Sequence, residues 1–368
     1  MDWYEIKDVE AIDSPVLAVY PKRVKSNIGR LKSMVKEVSQ LQPHIKTVKC
    51  LEVVKMLMDA GIDKFKCATI AEAEMLGMAG AKEVLIAYPM VGPKVDRMIK
   101  LMLVYQDTEF SCLVDCPEQA RHLSAHTYQA DVYLRVFMDL NVGTDRTGVR
   151  PLAEAKELYD YCKATSHLIT MGLHIYDGHI RHQDFEQRKE ACQAAFAPVE
   201  TLAKWAREKY PVELKVIAGG SPTFPVHAER EAVTCSPGTF AYWDKGYQES
   251  LPEQSFDFAA VLMTRVISRP GKNLLCLDLG YKSVASEGPL EKRVWFPEYP
   301  SWAMVSHSEE HLVVKVPEGE VLPVGNVVYA IPYHICPTVA MYDKVLTVEN
   351  NKVAGEWKTL ARKRRINI

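Results

Sequence analysis

The chain has 368 residues, 48% hydrophobic and 25% charged, so it is long enough for two domains and apolar enough to bury a large core. Its 45 Lys and Arg against 47 Asp and Glu leave a net charge of −2, which excludes the basic excess of a nucleic-acid binder but leaves small anionic metabolites open. The nine cysteines are odd in number and form no Cys-x-x-Cys, the N-terminus shows no basic-then-apolar leader, and no apolar run is long enough to span a bilayer, so the expectation is a soluble cytoplasmic protein without nucleic-acid or membrane partners.

Residues 15–20 read as a strand, and 23–38 as a helix with Val24, Ile28, Leu31, Met34, Val35 and Val38 on one face. Eight strand candidates follow, at 44–48, 65–68, 84–88, 110–114, 132–137, 169–175, 214–217 and 232–235. Helical patterns lie between most of them, such as 52–60 closed by Gly61, 71–78 and 151–162. This alternation predicts an α/β fold, a (β/α)8 TIM-type barrel over residues 15–248. From about Glu249 strands dominate, at 258–268, 274–278, 312–315, 327–331 and 344–348, separated by turn residues such as Arg269-Pro270-Gly271. Residues 249–368, joined by 1–14, are therefore expected to form a second, β-rich domain.

Four constellations carry chemistry. The first is Pro43-His44-Ile45-Lys46-Thr47-Val48-Lys49 at the end of the first barrel strand, where two-residue alternation puts His44, Lys46 and Val48 on one face. Facing the barrel, the Lys46 amine would be desolvated into a nucleophile or base; facing out, it is an ordinary solvated lysine. The second joins Gly219-Gly220-Ser221-Pro222-Thr223 after the seventh strand to Ser236-Pro237-Gly238-Thr239 after the eighth. Unobstructed glycine N–H groups with hydroxyls at Ser221, Thr223 and Thr239 suit a phosphate; the alternative is two plain turns. The third is Gly172-Leu173-His174-Ile175-Tyr176-Asp177-Gly178-His179, which offers His179 as a general base at the barrel mouth, while His174 lies deeper as a core histidine. The loop after the fifth strand adds Arg146 as a cation. The fourth is Pro332-Tyr333-His334-Ile335-Cys336-Pro337. On an extended segment His334 and Cys336 project together, and one metal ion, zinc rather than manganese, could take both, with water or substrate completing its shell; otherwise the pair binds nothing.

Together these motifs, with Ser14-Pro15, Ala68-Thr69-Ile70-Ala71-Glu72-Ala73-Glu74 and Asp278-Leu279-Gly280-Tyr281-Lys282-Ser283, resemble the fold-type III pyridoxal-phosphate enzymes, an alanine-racemase-like barrel plus a β domain, and within them the D-threonine aldolase and D-serine dehydratase family. The resemblance covers nearly the whole chain. It implies that Lys46 binds pyridoxal phosphate covalently, that Gly219, Gly220, Ser221, Thr223, Gly238 and Thr239 hold its phosphate, and that Tyr176 and Arg146 lie beside it. It also implies a divalent metal (zinc, or manganese or magnesium) on His334 and Cys336, facing the substrate. The implied activity is that of a lyase on a small D-3-hydroxy amino acid. In the aldolase form a base such as His179 takes the hydroxyl proton and yields glycine and an aldehyde. In the dehydratase form, on D-serine or D-threo-3-hydroxyaspartate, Lys46 takes the Cα proton and a 2-oxo acid and ammonia result. A racemase on the same fold is the third reading, needing a second base and no metal. The resemblance further implies a homodimer. One position departs: Val48 stands where the family commonly carries histidine.

Overall fold

The computed structural model describes residues 1–211 and 213–368. They divide into a larger unit of residues 31–46, 54–238 and 363–368, and a smaller one of residues 1–30, 47–53 and 239–362.

The chain begins with β1 (Val16–Val19), α1 (Pro21–Ser33) and, after a 3₁₀ turn at Ile45–Thr47, α2 (Leu51–Asp59). The larger unit then alternates β2 (Lys64–Cys67), α3 (Ile70–Ala79), β3 (Glu83–Pro89), α4 (Pro93–Val104), β4 (Glu109–Val114), α5 (Pro117–Gln129) and β5 (Leu134–Leu140). It continues through α6 (Ala153–Ala164), β6 (Leu168–Ile175), α7 (Phe185–Lys209), β7 (Lys215–Ala218), α8 (Phe224–Ala228) and β8 (Thr234–Cys235). The strands β2 to β8 pair in sequence order and all in parallel. Residues 41–44 fill the eighth place, with parallel bridges from Leu41 to Cys235 and from His44 to Lys66. The barrel expected from the alternation is therefore present.

Its strands are buried on both faces, which is why they read as continuous apolar runs such as Val84-Leu85-Ile86. The interior is packed by Leu85, Leu113, Phe137 and Ile217, with Ala87 and Met171 against them. Each such side chain stabilises the fold by about 1.5–3 kcal/mol. The helix starts are equally local in origin. In α3 the Thr69 hydroxyl accepts the Glu72 N–H at 3.1 Å, Glu72 accepts the Ala68 N–H at 2.7 Å, and Gly80 ends the helix at φ 80°. That fixes the turn after β2, one wall of the barrel mouth.

The smaller unit contains α9 (Lys245–Ser250), β9 (Ala260–Gly271), β10 (Leu274–Leu277), β11 (Val294–Trp295), β12 (Ala303–His307), β13 (Leu312–Lys315), β14 (Val327–Pro332), α10 (Ile335–Val339), β15 (Lys344–Glu349) and β16 (Lys352–Lys358). These form one sheet in the order β12-β13-β10-β9-β1-β15-β16, with β14 also on β9 and β11 on β14. Pairing is antiparallel except between β1 and β15. Leu17, Ala18 and Val19 of β1 are fully buried there, between β9 and β15. The two units thus divide the chain differently from the boundaries at 15 and 248 suggested by the sequence, since residues 15–30 and 239–248 group with the β-rich unit.

Two local expectations need correction. Residues 44–48 are not a strand: strand bonding stops at His44, whose Nδ1 accepts the Lys46 N–H at 3.2 Å, and Ile45–Thr47 turns in a 3₁₀ helix. The two-residue alternation therefore does not apply, and Val48, 2% exposed, is a core residue. Likewise 335–337 is helical rather than extended, with His334 as the N-cap of α10. Among the described residues no helix is long and apolar enough to cross a membrane.

Candidate active site

The mouth of the larger unit is a cavity of about 560 Å³, within the range of about 300–1,000 Å³ typical of small-molecule sites. Its lining includes His44, Lys46, Lys66, Asp139, Thr144, Arg146, His174 and Tyr176. Lys46 gets there because residues 41–44 are clamped on both sides: Gln42 and His44 donate to the carbonyls of Cys235 and Pro237, and the Lys66 N–H donates to Pro43, each at 2.9 Å. The Lys46 Nζ lies 6.0 Å from the centre of the Tyr176 ring, and the Arg146 guanidinium carbon 5.0 Å from the same centre.

The glycine loop follows β7 beside Tyr176. Gly219, at φ +79°, donates to the Ile175 carbonyl at 3.0 Å. A Cβ on Gly220 would meet the Tyr176 ring at 3.0 Å, and one on Gly238 would meet the His44 carbonyl at 3.0 Å. Both positions thus need glycine for close approach. The Gly238 N–H donates to the Ser221 hydroxyl at 3.4 Å, which ties the two loops together. Thr223 is placed differently from a phosphate donor: its hydroxyl is buried and donates to Asp177 at 2.6 Å.

Asp177 anchors a buried cluster that sequence reasoning missed. Its other oxygen meets His227 Nε2 at 2.7 Å, and the Cys192 thiol lies 3.4 Å from that nitrogen and 3.7 Å from the carboxylate. Burial would raise the Asp177 carboxyl, but its bonds to His227 and Thr223 hold it below the ordinary carboxylate range. Burial and the neighbouring Asp177 push the Cys192 thiol up to about 12, so it stays protonated. Among the described residues these are the one group of three potential metal-ligating side chains drawn within 4.8 Å. The cluster pairs through His227 Nε2 and pins the glycine loop, through Thr223 and His227, to the end of β6.

Below the mouth lies a polar layer, also missed. Lys66 is 2% exposed, its Nζ 3.5 Å from His174 Nε2 and 3.4 Å from the Gly219 carbonyl. His174 is the core histidine expected, bonded through Nδ1 to Asp139 at 2.7 Å, and Asp139 also accepts the Thr147 hydroxyl at 2.8 Å. His179, expected as a base, is exposed and is not part of the cavity lining; its Nδ1 lies 3.1 Å from the Thr144 hydroxyl, which donates to the Tyr176 carbonyl at 2.7 Å.

In the smaller unit, the α10 turn brings His334 and Cys336 into contact. Burial would lower the His334 imidazole, yet its bond to Cys336, the charge there and Glu287 carry it up to about 9. Glu287 bonds to His334 Nδ1, the Thr47 hydroxyl lies 2.9 Å from the Cys336 sulfur, and the Thr239 hydroxyl lies 3.6 Å from it. Buried Asp244 holds the start of α10 by accepting the Ile335 N–H at 3.1 Å.

Residues 19–245 match the family described as alanine racemase, N-terminal domain, and residues 259–348 match a putative serine dehydratase domain. The chain is 26% identical to a D-threonine aldolase of an Arthrobacter species, over 95% of this chain and 93% of that one. It is 25% identical to a 3-hydroxy-D-aspartate aldolase of Paracoccus denitrificans strain Pd 1222, over 96% and 93%. Among solved structures, a D-threonine aldolase from Filomicrobium marinum superposes with a TM-score of 0.86 at 25% identity, over 95% of each chain.

Proposed function

Because the chain belongs to the family of the alanine racemase N-terminal domain and is an enzyme of the pyridoxal-phosphate-dependent lyases, we propose that it cleaves a small D-3-hydroxy amino acid to glycine and an aldehyde. The observation that carries this reading is the convergence of Lys46, Tyr176 and Arg146 on one cavity beside a glycine cradle that any Cβ would crowd.

These residues fit pyridoxal phosphate. Lys46 supplies the amine for its aldehyde. The N–H groups of Gly219, Gly220 and Gly238 with the hydroxyl of Ser221 supply phosphate donors, and Thr223 acts from behind by fixing the loop. Bound there, the cofactor supplies an electron sink for charge developing at the substrate Cα. Tyr176, crowded by Gly220, holds the plane of the site, and Arg146 balances anionic charge. Since Thr144 donates to the Tyr176 carbonyl, its oxygen receives the Nδ1–H of His179. The Nε2 of His179 lies against Gly143, outside the cavity lining, so His179 takes the hydroxyl proton only after its exposed ring turns towards the mouth.

The imidazole and thiol of His334 and Cys336 fit a divalent ion, zinc in preference to manganese or magnesium. Glu287 fixes the imidazole through Nδ1 and leaves Nε2 for the ion, as carboxylates behind ligating histidines do. When bound, the ion would supply Lewis acidity.

Incubation with D-threonine, D-serine and D-threo-3-hydroxyaspartate, with cofactor and metal, tests the proposal. Glycine with an aldehyde is expected; 2-oxo acid with ammonia would replace it by the dehydratase reading, which the thiol at Cys336 and the match of residues 259–348 to a putative serine dehydratase domain favour. A homodimer in the cytoplasm completes the proposal, and sedimentation of the purified protein tests the dimer.

A further inference from the structure

Lys66 has no place in the chemistry above, yet it is the most buried cation of the cavity. Its three possible N–H donors find only two long contacts, at 3.5 and 3.4 Å, and among the described residues no carboxylate pairs with its Nζ. An unpaired buried ammonium is costly unless a ligand anion completes it. The groups facing it are Lys46 and Arg146, which oppose its charge, and Asp177 and Asp139, which favour it. His174 faces it too, with its Nδ1 bonded to Asp139. Burial lowers the His174 imidazole, so its proton stays on Nδ1 and Nε2 presents a lone pair to Lys66.

We propose that Lys66 is a second anion-binding residue of this cavity, and that it takes up a proton when the anionic cofactor binds. The inference rests on the cofactor reading given above. In the absence of an anion, burial first and the nearby Lys46 second lower the Lys66 amine to about 7, so at pH 8 it is mostly neutral. An anion placed against it restores the ammonium.

The test is calorimetric titration of the full-length, cofactor-stripped protein with pyridoxine 5′-phosphate, which has no aldehyde and forms no bond to Lys46. Measurement at pH 8 in two buffers of different ionisation enthalpy gives the protons taken up per ligand. The wild type is expected to take up roughly half to one proton more than Lys66→Met, and its affinity to fall by up to about tenfold per pH unit above 8 relative to that variant. Lys46→Ala removes a charge that lowers Lys66, so the extra uptake should be smaller there than in the wild type while Lys66 stays the remaining lysine of the cavity lining. Equal uptake by wild type and Lys66→Met would overturn the role of Lys66 while leaving the cofactor reading intact. Failure of the wild type to bind either pyridoxine 5′-phosphate or pyridoxal phosphate would overturn both.

Discussion

Replacing Lys66 by methionine should stabilise the protein at low pH and lose that advantage as pH rises. The amine is completely buried, and desolvation with the charge of Lys46 lowers it from its ordinary 10.5 to about 7. At about 1.4 kcal/mol for each tenfold change in proton affinity, the folded state carries a cost of about 5 kcal/mol below pH 7, where Lys66 is charged both folded and unfolded. Between 7 and 10.5 the unfolded chain binds the proton and the folded one does not, so wild-type stability rises with pH by this contribution. From pH 6 to pH 9 the gain is about 3 kcal/mol. Methionine matches the unbranched shape without the charge, so Lys66→Met lacks this slope. Guanidinium unfolding of both cofactor-free proteins at pH 6, 7.5 and 9 measures it. The stability difference should shrink in favour of the wild type by about 3 kcal/mol across the range. Two stability curves that stay parallel within about 0.5 kcal/mol would refute the argument, because they would mean that Lys66 keeps its proton in the fold.

Other consequences follow from the same geometry. Gly220→Ala puts a methyl 3.0 Å from the Tyr176 ring and Gly238→Ala one 3.0 Å from the His44 carbonyl, so each should weaken pyridoxal phosphate binding by at least about tenfold, read by absorbance titration. Asp177→Asn removes the charged acceptor of Thr223 and His227; a cost of about 2–3 kcal/mol in thermal unfolding is expected, with weaker cofactor binding from a loosened loop. Exhaustive chelation, or Cys336→Ala, should abolish lyase turnover while the cofactor absorbance persists, and full turnover by the metal-free protein would eliminate the role given to His334 and Cys336. His179→Gln should lower kcat by about 10²–10⁴ with little change in cofactor binding, measured by steady-state kinetics.

The barrel was legible because its strands are buried on both faces and several of its helices start at a capping side chain (Thr69, Asp184) or a proline (Pro93, Pro117), so both periods survive in the sequence. Edge strands were not. β12 and β16 lie at the sheet margin with most of their residues exposed, β12 runs Ala303-Met304-Val305-Ser306-His307 without a period of two, and Gly355 interrupts β16, so neither stands out from a loop. Lys46, Tyr176 and the glycine loops could be found because each sits at a strand end, where barrels place chemistry. The conformation at 45–47 could not, since it depends on His44 accepting the Lys46 N–H after barrel bonding has ended. Lys66 left a signal that was overlooked: a lysine between buried Phe65 and Cys67, in a strand covered on both sides, has nowhere to go but inward. The Asp177–His227 and His334–Glu287 pairs join residues 50 and 47 positions apart, and nothing local to either partner announces the other.

The most direct measurement is borohydride reduction of the pyridoxal-phosphate-loaded protein, followed by peptide mapping. A single phosphopyridoxyl group on Lys46 is the predicted result. A label on Lys66 or another lysine instead, or none at all, would contradict the account.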